Sequence, residues 1–549
     1  MKKSKKIIIT VVLALLLSAM LVACGETEAA KTDLPEWEWG VTASGTAYVK
    51  AYNGTAKSVN VPSMNGDKEV TEIGEGAFSG NTTMMNVNLP SSVTSIRQSA
   101  FKGCEGLRNF IISENMTNLE ERAFSSCPNL KTFTVSANNE KYALVGNSVV
   151  EKETKTLLYS TTSTKIPTDG SVLAFGAYAF EGNKNVTKVK TEDGDDNNKT
   201  TVLTEIVVPL CLQKIGTGAF ASCPNLKTAE LPETLSSVGT DVFKGCPLEN
   251  VVLTPEELPC LTKDEVQGIE LIGAQSVGKE ELNDFTALKT LVIPDSVTEI
   301  EAGALYGCGA LESITLPFVG GREDAADKTK ESMFGYIFGR DPYDGGRGTS
   351  QLADMQDGKE KYYLFYLPKN LKTVNVHGYR VPYGSFFNCK SLQTINLVQT
   401  QEIGDYAFMY CSALQTVFMN DSMQKMGVQA FYQCAELDKV YVERIQVGGT
   451  SDEDRLKQVV KAWCEIEFAN NYSNPVSYAK KIYFNDVLCT NLTVPEGTTA
   501  VKSYAFYNAT CIETVSLPET LNFIGDYAFH GCTGIRTVDN KSSAQLKTE

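Results

Sequence analysis

The sequence predicts a repeat solenoid: a curved stack of short parallel β-strands with irregular or short helical return segments, interrupted by insertions. Three observations lead there. First, one pattern recurs between Phe386 and Val440. An aromatic lies three residues before a Cys and a Leu three after it, and Cys389, Cys411 and Cys434 follow at intervals of 22 and 23 residues. A fixed period in that range marks stacked repeats. Second, each copy holds an alternating run such as Thr394-Ile395-Asn396-Leu397, the pattern of a half-buried strand. Third, proline often closes that run, as at Pro90, Pro232, Pro294 and Pro518. It lacks the N–H a ladder needs and so stops the strand early. A coil this small cannot bury its own apolar face, so its neighbours must cover it. With strands about 4.8 Å apart, about fourteen coils would make a rod roughly 65–70 Å long before insertions.

The elements follow in chain order. Residues 1–24 carry Lys2, Lys3, Lys5 and Lys6, then the apolar stretch Ile7 to Val22, then Leu21-Val22-Ala23-Cys24. The apolar stretch is shorter than the ~20 residues of a spanning helix and reads as an export signal. Cys24 stands where a lipobox cysteine receives its lipid and becomes the mature N-terminus. A plain signal peptide or a membrane anchor that happens to end in Cys is the alternative. Residues 25–31 form a tether. Residues 32–58, with Trp37 and Trp39 and an Asn53-Gly54 turn signal, read as a hairpin capping the first coil; sugar stacking on the Trp pair is the alternative.

Coils are expected over 59–254, with a hairpin-like excursion at 138–167 built on Ser148-Val149-Val150 and Thr156 to Tyr159. Within this run, Asp193, Asp195 and Asn197 have the first spacings of a calcium loop. Asn198 replaces the required Gly and Thr204 the closing Glu, so the stretch reads as a solvated hairpin tip. Residues 255–285 leave the motif and read as an insertion with a helix-like segment, Lys279 to Phe285. A repeat returns at 286–317. Residues 318–371 form an insertion too aromatic to leave in water, expected to pack as a flap against the rod. Clean repeats cover 372–440. An insertion with helical character (Glu453 to Phe468, with Trp463) spans 441–481. The last repeats span 482–538, and 539–549 is a polar tail expected to be disordered.

The consensus strand-Pro-x-x-Val-Thr-x-Ile-Gly-x-x-Ala-Phe-x-x-Cys-x-x-Leu resembles the BspA-like class of leucine-rich repeats over roughly residues 57–538. Besides the copies above, it is carried by Ala100-Phe101 with Cys104 and Leu107, Ala219-Phe220 with Cys223 and Leu226, and Ala528-Phe529 with Cys532 and Ile535. The resemblance implies a bacterial surface protein or lipoprotein, with adhesion among the roles of such proteins.

Composition narrows the partners. The net charge of −16 disfavours nucleic acid, whose phosphates need Lys and Arg. Of the 15 cysteines, nine hold the motif position, which fits small buried side chains stacked along the rod better than a disulfide framework. Cys211, Cys260, Cys464, Cys489 and Cys511 fall off the motif, and their state is open. Two histidines, His377 and His530, and no CxxC pair argue against zinc. No metal and no cofactor is expected, and no catalytic constellation stands out. The leading expectation is therefore a non-catalytic surface protein, lipid-anchored through Cys24 on the outer face of the cytoplasmic membrane. It would be a monomer and would bind an extracellular protein or glycan. The alternative is a glycan-acting enzyme whose cleft the insertions form.

Val374/Val376, Ile395/Leu397, Val417/Met419 and Val440/Val442 are expected to point inward, leaving Asn375, Asn396, Phe418 and Tyr441 on the outer sheet face. The two aromatics are unusual there, since Asn88, Thr315 and Ser516 hold the equivalent place elsewhere. They are either a contact patch for a partner or the seat that the 441–481 insertion covers.

Overall fold

The computed structural model describes residues 35–191, 205–356, 359–443 and 451–544. The leader with Cys24, the tether and the Asp193–Thr204 stretch lie outside them.

Most coils contribute two strands, a longer and a shorter, and each kind stacks on its own side. The longer strands alternate buried and half-buried positions, as Thr373–Val376, Thr394–Leu397 and Thr416–Asn420 do. They pair parallel and in register, Val374 beside Ile395 beside Val417 beside Val440. These inward side chains are fully buried. The row continues as one thirteen-stranded sheet from Glu205–Val208 to Val487–Leu488, parallel except for its final pair. The shorter strands, such as Arg380–Val381, Glu402–Ile403 and Lys425–Met426, stack parallel in the second row.

The motif residues join the coils. After several of the short strands a glycine lets the chains close up. A Cβ on Gly404 would stand 2.6 Å from the Tyr383 nitrogen, and one on Gly427 2.4 Å from the Asp405 nitrogen. The Phe386 N–H donates to the Ala407 carbonyl at 2.8 Å, and that of Phe408 to Ala430 at 2.8 Å. Their rings stack in a column, Phe386–Phe408 and Phe408–Phe431 each at 5.1 Å. The motif thiol then donates to the carbonyl of the preceding ring residue, Cys411 to Phe386 at 3.1 Å and Cys434 to Phe408 at 3.3 Å. The same contact recurs at Cys104, Cys127, Cys223, Cys246 and Cys532. Cysteine thus recurs because a small side chain with a weak donor satisfies a buried carbonyl. Burial pushes the Cys104, Cys308 and Cys389 thiols up to about 12.

The structure corrects four expectations. Residues 255–285 are not an insertion. Gly268–Leu271 sits in the sheet between Asn250–Leu253 and Thr290–Val292, and Ser276–Val277 pairs with Glu299–Ile300. The motif is disguised because Leu282 takes the ring position and Phe285 the thiol position; Cys308 of the next coil donates to the Leu282 carbonyl at 3.1 Å. Lys279 to Phe285 forms turns rather than a helix. The N-terminal hairpin, Trp37–Val41 against Ala47–Tyr52, turns at Thr42–Thr46 around Gly45, not at Asn53-Gly54. The 138–167 excursion is a three-stranded antiparallel meander, since Tyr142–Val145 adds to the two strands read from sequence.

Trp37 lies 4.6 Å from Tyr52 and meets Phe78 edge-on at 6.2 Å, so the N-terminal hairpin covers the first ring of a column. The 318–371 segment packs against the rod. Phe318, Phe334, Phe338 and Phe365 are buried, and a long hairpin, Gly346–Gln356 against Lys359–Pro368, rises from it. Its buried Gln351 accepts from the Gly335 N–H at 2.7 Å and donates to the Ser385 carbonyl at 2.5 Å. Among the described residues no helix is long and apolar enough to cross a membrane.

Candidate functional site

The in-register sheet arranges its outward side chains in columns. One column runs Thr315, Asn375, Asn396, Phe418, Tyr441, Tyr483. The structure therefore brings together all four residues singled out from the sequence on that face. Asn375 Nδ2 donates to Thr315 Oγ1 at 2.9 Å. Beyond Asn396 the amides give way to three stacked rings. Phe418 and Tyr441 have centroids 4.7 Å apart and planes at 12°; Tyr441 and Tyr483 are 4.6 Å apart at 24°. All three rings are half-buried, while the residues on either side of each (Val417 and Met419, Val440 and Val442, Ile482 and Phe484) are buried below.

Tyr483 is not among the outward residues expected from the sequence pattern. Its coil lacks the usual spacing because the helical insertion separates it from Tyr441. The available signal was the alternation Ile482-Tyr483-Phe484 directly after that insertion.

The surroundings of the rings are polar. Thr416 and Lys439 flank them on one side in register. Lys481 Nζ lies 2.6 Å from Asp438 Oδ1, a hydrogen bond that holds its ammonium above the usual range. On the other side Asn420 pairs with Glu443. Burial, with Asp486 nearby, raises the Glu443 carboxyl.

The helix of the 441–481 insertion, Asp452–Cys464, starts at Ser451, whose side chain accepts from the Asp454 N–H. Its Val459, Val460, Trp463 and Cys464 are buried in the main core. Trp463 Nε1 donates to the Ala505 carbonyl at 2.8 Å, and its ring approaches Phe468 and the inward-facing Phe484. The apolar side of this helix thus fills the coil interior, and the three rings keep part of their surface in solvent.

The two histidines lie apart. His377 Nδ1 is 2.7 Å from Asp295 Oδ1 on the exposed surface, and His530 stacks on Tyr507 at 5.1 Å. Among the described residues, no group of three or more His, Cys, Asp or Glu side chains is placed to hold a metal ion. Cys24 lies outside the described residues.

Two parallel strand rows, with ring and thiol columns between them, define a leucine-rich repeat solenoid. The chain belongs to the BspA type leucine rich repeat family, whose model matches six copies over residues 51–187, 195–270, 265–321, 361–449 and 464–548. Among solved structures, a leucine rich cell surface protein from Faecalibacterium prausnitzii is 16% identical, with 93% of this chain and 94% of that chain covered and a TM-score of 0.24. A leucine-rich repeat protein from Bacteroides ovatus is 21% identical, with coverages of 75% and 94% and a TM-score of 0.32. A leucine-rich repeat protein from T. pallidum is 19% identical, with coverages of 50% and 88% and a TM-score of 0.17. No curated protein matches the chain.

Proposed function

We infer that this is a non-catalytic binding protein of the bacterial cell surface, lipid-anchored through Cys24, which docks another protein on its sheet face as a monomer. The family match is consistent with a protein-binding role. The basic start, apolar stretch and Leu-Val-Ala-Cys of the leader support export and anchoring.

The observation that carries the docking role is the Phe418–Tyr441–Tyr483 column. Aromatic side chains at the centre of an interface supply most of its binding energy. The stacking geometry also speaks to the partner. Tyr441 is stacked on both faces and Phe418 and Tyr483 on one face each, so the surface presents mainly ring edges and the two tyrosine hydroxyls. Edges and hydroxyls suit the aromatic rings and backbone carbonyls of a protein. A sugar, which lies flat on an open ring face, finds little such face along the column.

An array of extracellular proteins and glycans, probed with the full chain, tests this. A protein bound by the native chain, and lost when Phe418 and Tyr441 are both changed to Ser in a chain that still folds, though at a lower melting temperature, is the expected result. Glycan binding lost in the same variant would overturn the protein assignment. Loss of folding in the variant would assign the rings to packing.

A further inference from the structure

The aromatic-rich 318–371 segment does more than cover the rod. Where it folds against the coils at 279–306 it leaves a cleft of about 500 Å³, on a different part of the molecule from the ring column. That volume lies within the ~300–1,000 Å³ of small-molecule sites. The walls are stapled by the Gly303 N–H, which donates to the Tyr336 carbonyl at 2.9 Å. At the seam Gly303 (φ 75°) meets Gly339 (φ 88°), both in the left-handed region; a Cβ on Gly339 would stand 3.4 Å from the Gly303 Cα.

Tyr306, Tyr336 and Phe365 line the cleft. One side of the Tyr336 ring rests on Gly321, where a Cβ would come within 2.6 Å of it. Half-buried against the core, Tyr336 also lines the cleft, and among the described residues no other aromatic ring stacks on it.

Around these rings stand Lys279, Glu280, Lys330, Arg340 and Asp341, all exposed. Among the described residues, none of these side chains is in an ion pair or a side-chain hydrogen bond. Three cations and two anions nearly cancel, and Glu299, Glu301 and Glu331 beside Tyr336 are offset in part by Arg322, which leaves a small net negative charge. No strong field of one sign selects a charged ligand. What the cleft offers is three aromatic side chains ringed by groups that donate or accept several hydrogen bonds each. A ligand with many hydroxyls and a flat apolar face matches that inventory.

We propose that the cleft between the 318–371 flap and the rod is a second, separate binding site, specific for a neutral oligosaccharide. The sugar ring lies on Tyr336, and Arg340, Lys330 and Asp341 take its hydroxyls. The full chain is screened against neutral plant, bacterial and host oligosaccharides by saturation-transfer NMR, with tetraglutamate as the charged probe, and hits are titrated by calorimetry. The expected result is saturable binding of a neutral oligosaccharide that Arg340→Ala and Tyr336→Ala each weaken by about tenfold or more, as loss of a main contact would. Tyr441→Ser, on the sheet face, leaves it unchanged. If Tyr336→Ala lowers the melting temperature, Arg340→Ala on its exposed side chain decides the matter alone. Absence of sugar binding, binding of tetraglutamate instead, or sugar binding indifferent to Arg340→Ala would overturn the proposal.

Discussion

Changing Tyr441 to Ser separates the two roles its ring could have. Tyr441 is the middle ring of the column, in contact at 4.7 Å with Phe418 and at 4.6 Å with Tyr483. Each aromatic pair contributes about 0.5–1.5 kcal/mol beyond area burial, so losing both costs about 1–3 kcal/mol of folding stability. Phe418→Ser and Tyr483→Ser each break one pair and cost about half as much by the same rule. Binding should respond more strongly. A central tyrosine of an interface is worth about 2 kcal/mol or more, which is roughly a thirtyfold rise in Kd at ~1.4 kcal/mol per tenfold. Tyr441→Phe keeps the stack and removes only the hydroxyl, so it should leave stability unchanged and report that group's share of binding. The assays are urea unfolding of the three single variants and surface-plasmon titration with the protein partner. Equal destabilisation by all three, or an unchanged Kd for Tyr441→Ser, would refute the reasoning.

Further outcomes follow from the same geometry. Gly404→Ala should destabilise by about 1–3 kcal/mol in thermal or urea unfolding, because its methyl would meet the Tyr383 nitrogen at 2.6 Å. A thiol reagent at pH 8 should label Cys211 and Cys511, the two partly exposed cysteines of the described residues, and reach the motif cysteines only on unfolding; mass spectrometry of the labelled peptides reads this directly. Glu257 is buried, and that burial raises its carboxyl against the lowering hydrogen bond from the Thr254 N–H. Its folded pKa therefore exceeds its unfolded one. The penalty for ionising it is absent below the unfolded value and fully present above the folded value, so stability falls as pH rises between them. Glu257→Gln should remove that decline, measured as melting temperature from pH 4 to pH 7.

Much of the fold was readable because the period fixes the register. Once Cys389, Cys411 and Cys434 align, Asn396, Phe418 and Tyr441 must fall in one column. Reading failed where chemistry was conserved but spacing or residue type was not. Leu282 and Phe285 fill the ring and thiol positions with other side chains, so a regular coil passed for an insertion. Tyr483 was hidden by the helix that delays its strand. The turn at Thr42–Thr46 was missed because Asn53-Gly54 is the stronger hairpin signal in isolation, while the actual turn is held by the Thr42 N–H donating to the Thr46 carbonyl. The cleft could not be seen at all. Residues 279–283 and 302–306 lie one repeat apart, but the other walls, 330–341 and 365, belong to the flap, follow no period and meet them only when it docks.

The central claim is that a protein partner lands on the three rings of the sheet face. Hydrogen–deuterium exchange of the full chain, with and without that partner, tests it most directly. The account predicts new protection in the strands Thr416–Asn420, Lys439–Glu443 and Ile482–Phe484, with none in Gly346–Gln356. Protection confined to that hairpin, or to the short-strand row, would contradict it.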